Sequence, residues 1–289
     1  MSHGSSASDA ATARSGSPGT REVDRLVGLL EDHEVSCWVD SGVLLGLTRE
    51  GGLLSWEKDI DLGVTADQIA GLVRLRPQLE QLGYDTHVLT YRRKPYALAL
   101  NPIDGDAHLR AAVHVFYPIG DWLWSPQPQM YAPPPAPDLV PHPTVTGRAL
   151  RGLMRRWIYT DAAPNAAIQA PSEHGVVAGL ARTVFRRVDQ GDLAETWPLR
   201  EVLVPFTWVL PRELVLPLRS VEVAGRSYPV PHDVEGYLTY RYGDWRTPRT
   251  DWAYWRDDGA IRHENPVEVA QALRAAASSR STAPSSRRP

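Results

Sequence analysis

Asp59 and Asp61 stand one residue apart in the otherwise apolar run "DIDLGV". In an extended strand Ile60 and Leu62 take one face, and the two aspartates share the other. Like charges side by side repel, so the pattern calls for a compensating cation. A hard divalent ion such as Mg²⁺ fits that need, because it takes carboxylate oxygens and completes its shell with substrate phosphates. A solvated strand end or an arginine-paired acid is the simpler reading of Asp-X-Asp taken alone. Upstream, however, "CWVD" runs into Asp40-Ser41-Gly42 and then "SGVLLGL". A strand-to-helix turn of that kind presents backbone N–H groups and a hydroxyl at a positive helix end, which is a seat for phosphate.

Those residues need elements to hold them. "TREVDRLVGLLEDHEV" places Val23, Leu26, Val27 and Leu30 at helical spacing, with Thr20 as the cap candidate. "SCWVD" reads as a short buried strand, "SGVLLGL" as a short helix and "DIDLGV" as the next strand. "TADQIAGLVRLRPQLEQLG" reads as a second helix, capped by Thr65, broken or kinked at Pro77 and ended by Gly83. "DTHVLTY", "YALALNP" and "LRAAVHVFYPI" follow as strands. Residues 20–120 thus alternate helix and strand, an α/β or α+β core. Residues 125–145 are too rich in proline for regular structure and read as a long loop. Residues 147–159 and 174–188 read as basic helices. Ala224-Gly225 lies between two strand-like runs as a hairpin turn, and "HDVEGYLTYRYGDW" reads as a helix that stops at Gly243. The expected layout is a disordered tail over 1–18, a core over 19–124, the proline-rich loop, a helical and hairpin region over 146–270 completing the same domain, and a disordered tail over 275–289.

The 289 residues are enough for a substantial core, and 43% hydrophobic with 22% charged residues is ordinary for a globular protein. A net charge of -3 gives no general basic field for nucleic acid. Cys37 is the single cysteine, which excludes an intrachain disulfide and a cysteine-rich zinc site. No apolar run approaches the roughly 20 residues of a spanning helix, and the N-terminus lacks the apolar stretch of a signal peptide. A cytoplasmic protein is expected. The arginines of the two basic segments read as solvated faces; their functional use would be contact with a phosphate-bearing acceptor or, peripherally, an anionic membrane surface.

Residues 38–64, "WVDSGVLLGLTREGGLLSWEKDIDLGV", resemble the signature of the LicD/fukutin family at Asp40, Leu44, Leu45, Gly46, Arg49, Trp56, Asp59 and Asp61. Residues 225–248, "GRSYPVPHDVEGYLTYRYGDWRTP", resemble its closing element, a Pro-Val-Pro hairpin and helix followed by Tyr-Gly-Asp-Trp. The resemblance implies a polymerase-β-like nucleotidyltransferase core, a mixed sheet flanked by helices, with a helical insertion and C-terminal region. It implies a phosphotransferase that moves phosphocholine or a polyol phosphate from a CDP-linked donor to a hydroxyl of a glycan or small metabolite. Asp59 and Asp61 would hold Mg²⁺ or Mn²⁺ and act in catalysis. Asp40, Ser41 and Gly42 would face the donor phosphates, Arg49 would offset phosphate charge, and Tyr242, Asp244 and Trp245 would line a substrate pocket.

The chain also departs from that pattern. Trp56 is followed by Glu57-Lys58 in place of two aspartates. The third carboxylate of the fold, expected in a segment like Ile-Asp-Ile-Phe-Pro, falls in "VHVFYPI", where His114 stands instead. Either His114 serves as base or unusual ligand, or Asp104, Asp106 or Asp121 supplies the acid, or activity is lost. Three functions stay open at this point: phosphotransfer from a CDP-linked donor, nucleotidyl transfer from a nucleoside triphosphate, and nucleotide binding without catalysis.

Overall fold

The structure is a computed structural model; it describes residues 17–57, 59–91, 94–103, 109–127, 129–130, 203–204 and 206–281. In chain order the elements are α1 (Pro18–Asp32), β1 (Cys37–Val39), α2 (Ser41–Glu50), β2 (Asp59–Thr65), a 3-10 turn (Ala66–Gln68), α3 (Ile69–Arg74), α4 (Arg76–Gln81), β3 (Tyr84–Tyr91), β4 (Lys94–Pro102), β5 (Arg110–Ile119), β6 (Trp122–Pro126), β7 (Gln129–Met130), β8 (Leu203–Val204), β9 (Thr207–Pro211), α5 (Arg212–Val215), β10 (Arg219–Val223), β11 (Arg226–Val230), α6 (Val234–Tyr242), α7 (Tyr254–Asp257), β12 (Ile261–Arg262) and α8 (Pro266–Ser281). The fold is α/β, a central mixed sheet flanked by helices, as the alternation of patterns required. Two units interleave along the chain: residues 1–86, 100–115 and 213–252 form the first, and 87–99, 116–212 and 253–289 the second.

In the first unit the strands lie in the order β1–β2–β5. β1 and β2 are antiparallel, with Trp38 opposite Gly63 and Val39 opposite Leu62. Strand alternation sends Ile60 and Leu62 fully into the core and leaves Asp59 and Asp61 half-buried on the other face. α1 buries Val23, Leu26, Val27 and Leu30, the stripe that its spacing dictates. Its cap is Ser17, whose hydroxyl accepts from the Thr20 N–H at 3.2 Å, not Thr20. Thr20 is buried one turn inside and accepts from the Leu53 N–H at 3.2 Å. The helix expected over 65–83, broken or kinked at Pro77, is a 3-10 turn and two short helices that meet at Leu75, two residues before that proline. Thr65 makes no side-chain cap there, and Pro77 sits in the first turn of α4, where its missing N–H leaves no helical bond unmade. β10 and β11 form the expected hairpin, with Ala224 and Gly225 both at positive φ, 53° and 82°. α6 starts at Asp233, which accepts from the Gly236 N–H at 2.9 Å, and stops at Gly243, φ 67°.

In the second unit β5, β6, β9 and β12 are neighbours in that order. α8 packs on β6, where Val269, Ala270 and Leu273 meet Ile119, Trp122 and Trp124. The expected disordered tail from Ala275 is corrected here: α8 continues to Ser281. Alanine is the strongest helix former, and Gly120 admits Ala277 so closely that a Cβ at Gly120 would meet it at 2.7 Å. Ser125 and Pro126 finish β6, although they open the segment read as a loop. Gln129 and Met130 of that segment form β7, paired with β8; residues 128 and 131–145, both basic segments, the first sixteen residues and the last eight lie outside the described residues. Among the described residues no helix is long and apolar enough to cross a membrane.

Candidate active site

The site belongs to the first unit. β1 ends at Val39, and the next residue stays in register: the Asp40 N–H donates to the Asp61 carbonyl at 3.0 Å. Asp40 then caps α2, its Oδ1 accepting from the Ser41 N–H at 2.7 Å. Ser41 sits at φ 49°, a left-handed conformation that a residue with a side chain adopts only under constraint. The turn therefore sets the start of α2 directly beside the aspartate face of β2.

Several side chains converge on that face. His114 Nε2 lies 3.1 Å from Asp61 Oδ1, so β5 delivers the histidine to the place where the sequence lacks a third acid. Burial pushes the Asp59 carboxyl above the usual carboxylate range and the Asp61 charge adds to that, against a hydrogen bond with Glu57 and the charges of His114 and Arg110. Burial also works against an ionised Asp61. The hydrogen bond and charge of His114, the charge of Arg241 and a hydrogen bond from Ser41 outweigh it, and the net direction is down. The pair is thus asymmetric: one acid readily holds a proton and the other is kept ionised.

Gly42 matters through what it lacks. A Cβ there would stand 1.9 Å from Glu57 Oε2, so the Glu57 carboxylate rests against the first turn of α2. That is where a helix end favours negative charge. The nearness of Glu57 to Asp59 was not fixed by spacing alone, because the turn before β2 folds back onto α2: the Glu57 N–H bonds the Leu54 carbonyl at 3.0 Å.

Asp40 is fully buried and its partners come from far along the chain. Arg241 Nη1 donates to Asp40 Oδ1 at 2.8 Å and to Ser41 Oγ at 2.9 Å. The Tyr237 hydroxyl donates to the same Asp40 oxygen, while Asp40 Oδ2 is buried with no hydrogen-bond partner among the described residues. Burial and the Asp40 charge raise Tyr237 well above the usual phenol range, so it stays a donor. Sequence reading missed both residues. The signal was there: Val234, Tyr237, Leu238 and Arg241 follow i, i+3, i+4, i+7, so an arginine falls on the buried stripe of α6.

The other expected site residues lie elsewhere in this unit. Arg49 donates to the Trp245 carbonyl at 3.2 Å and to Glu50 at 3.0 Å, with its guanidinium 5.8 Å from the ring of exposed Trp56. It ties the end of α2 to the segment after α6. Tyr242 packs against Trp252 with ring centroids 4.9 Å apart, Trp245 is buried under Arg246, and Asp244 is exposed. Contact with the Asp40 turn is made by Tyr237 and Arg241, which precede Tyr242 on the buried stripe of α6. Asp104 and Asp106 lie outside the described residues, and Asp121 lies in the β5–β6 turn of the second unit.

A metal ion can be tested against these groups. Among the described residues no cluster of three or more histidine, cysteine, aspartate or glutamate side chains forms a ready cage. Asp59 and Asp61 offer two carboxylates on one face. This suits an ion that takes one or two protein carboxylates and draws its other ligands from water and substrate phosphate, as Mg²⁺ does. The donor set fits at that level.

Residues 34–121 match the LicD/FKTN/FKRP nucleotidyltransferase domain. The resemblance read from residues 38–64 falls inside that match; the one read from 225–248 falls outside it. An uncharacterised protein of Rickettsia prowazekii is 38% identical over 56 residues, 19% of this chain and 21% of that protein. Ribitol 5-phosphate transferase FKRP of Mus musculus is 39% identical over 57 residues, 19% of this chain and 12% of that protein, and the Homo sapiens protein gives the same figures. The matched stretch is therefore about a fifth or less of the length of these relatives. Among solved structures, the lincomycin-bound lincosamide antibiotic adenylyltransferase LnuA aligns over 77% of this chain and 85% of its own, at 12% identity and a TM-score of 0.36.

Proposed function

On the premise that residues 34–121 are a LicD/FKTN/FKRP nucleotidyltransferase domain, we propose that the protein is a metal-dependent phosphotransferase. It moves a phospho-substituent, phosphocholine or a polyol phosphate, from a CDP-linked donor to a hydroxyl of a glycan or small metabolite. One observation carries this reading. Asp59 and Asp61 share one face of β2, beside the Asp40–Gly42 turn that opens α2 with Ser41 at positive φ. That arrangement gives a cation and a phosphate adjacent places.

Asp59 and Asp61 would hold Mg²⁺ or Mn²⁺, which would supply positive charge to the phosphoryl oxygens. Gly42, in the first turn of α2, offers the donor phosphates its backbone N–H, once Glu57 gives up its place against α2. The acceptor hydroxyl oxygen attacks the phosphorus that carries the head group. The bond from that phosphorus to the bridging oxygen breaks, and CMP leaves with the electron pair. The hydroxyl proton goes to a nearby acid of the site or to His114. His114 keeps Asp61 oriented and ionised through its 3.1 Å contact, a supporting part in place of a third carboxylate.

The test is calorimetric titration of the protein with Mn²⁺ and then CDP-choline, beside Asp59→Asn and Asp61→Asn. Metal-dependent nucleotide binding lost in both variants supports the reading, and incubation with candidate acceptors should then release CMP. Release of pyrophosphate from a nucleoside triphosphate instead would make the protein a nucleotidyltransferase. Binding of nucleotide with no turnover of any donor would leave a binding protein, with His114 the mark of lost chemistry.

A further inference from the structure

Among the described residues Trp56 is the one exposed Trp, Tyr or Phe, at 58%. The turn that carries it runs back along α2. Leu54 packs against the middle of that helix, where a Cβ at Gly46 would meet the Leu54 nitrogen at 2.9 Å. Glu57 reaches the first turn, where a Cβ at Gly42 would meet its carboxylate. Trp56 turns to the other end, its ring 5.8 Å from the guanidinium of Arg49 in the last turn. At about 1.5 Å of rise per residue, Gly42 and Arg49 stand about 10 Å apart along α2. That span matches the reach from the terminal phosphate of an extended nucleoside diphosphate to its base.

Arg49 is committed to the fold. Nη1 donates to the Trp245 carbonyl at 3.2 Å, Nη2 donates to Glu50 at 3.0 Å, and the side chain is 13% exposed. A guanidinium pinned in this way gives the indole a fixed neighbour through a cation–π contact. The ring is thereby oriented while it stays open to solvent.

We propose that Trp56 is the platform on which the nucleobase of the donor stacks, and that Arg49 is the positioning residue that holds the ring. With the phosphates at Gly42 and the base on the indole, one nucleoside diphosphate lies along α2. The inference rests on the donor reading above and adds to it a place for the base. Stacking on an aromatic side chain tolerates any base, because every base has a π-face, so the platform adds affinity without choosing among bases.

The test is calorimetric titration in Mn²⁺ with two probes that share the diphosphate: CDP, and inorganic pyrophosphate, which has no base. Trp56→Ala should bind CDP about tenfold or more weakly, with pyrophosphate affinity and melting temperature nearly unchanged. Trp56→Tyr should keep most of the CDP affinity, since it keeps an aromatic face. Arg49→Gln should weaken CDP more than pyrophosphate, whereas an arginine that binds phosphate would lower both alike. Wild-type CDP affinity in Trp56→Ala would overturn the inference and leave the donor reading standing; a raised KM for a hydroxyl acceptor in that same variant would assign the indole to the acceptor instead. Equal losses for CDP and pyrophosphate would also overturn it, because Trp56 would then act through the turn that holds Glu57. A wild-type protein that binds neither probe overturns the donor reading, and the inference with it.

Discussion

At the scale of single residues, Asp59 and Asp61 should answer pH with opposite signs. Asp59 binds its proton more tightly folded than unfolded, so its ionisation opposes folding at neutral pH, and the penalty is absent below the unfolded value of about 3.9. Asp59→Asn should therefore raise the melting temperature of the metal-free protein at pH 7, with the gain shrinking toward pH 4. Asp61 is shifted the other way: its stabilisation is present above about pH 3.9 and lost as pH falls through its lowered folded value. Asp61→Asn should lower the melting temperature at pH 7, and that loss should fade in acid. Thermal melts of both variants across pH 3.5–8 check the pair, and shifts of one sign would refute the asymmetry. Gly63 makes a simpler case. A Cβ there would lie 2.1 Å from the Trp38 indole, a rigid ring 1% exposed and directly across the strand pair. Gly63→Ala should cost about 1–3 kcal/mol or more by urea denaturation, against about 0.5 kcal/mol or less for Gly52→Ala, whose nearest neighbour is 3.5 Å away.

At the scale of elements, what depends on neighbours in sequence was legible. Strand period two placed the aspartates on one face of β2, and period 3.6 placed the stripe of α1. Gly243 ended α6 because a left-handed stop favours glycine. What depends on distant partners was not legible. Thr20 and Ser17 are both plausible caps on local grounds, and only the Leu53 N–H, which claims Thr20, decides between them. The end of α8 was missed because polar composition masks a helix whose anchor is Gly120, far upstream. At the site, the acids were legible, and their cation showed only as an arginine on the buried stripe of α6, since nothing near Asp40 in sequence ties that arginine to it. The β10–β11 turn offers a prediction on this scale. Its tight positive-φ pair favours Asn-Gly, but the chain has Ala224-Gly225. Ala224→Asn should add about 0.5–1 kcal/mol in a chemical denaturation midpoint, with Mn²⁺ binding unchanged.

At the scale of the whole molecule, the Asp40–Arg241 pair joins residues from early and late in the chain into one unit. Removing one member of such a buried pair costs about 3–5 kcal/mol, a large share of the 5–15 kcal/mol that typically separates folded from unfolded. Arg241→Met should be destabilised by about that amount. The double variant Asp40→Asn/Arg241→Met should be less destabilised than Arg241→Met alone, because it leaves no stranded charge. Equal losses in the two would mean that packing of α6, and not charge, accounts for the effect.

The same pair imposes an order in time on a chain as it is made. Asp40 leaves the ribosome long before Arg241, and at roughly 5–20 residues per second the 201 residues between them take roughly 10–40 s to synthesise. During that interval β1 and β2 can pair locally, but Asp40 has no cation and must stay hydrated. A nascent chain, or one stopped short of α6, carries both aspartates of β2 without the settled turn opposite them. The Asp40 turn is therefore completed late, when the last part of the first unit arrives with Arg241.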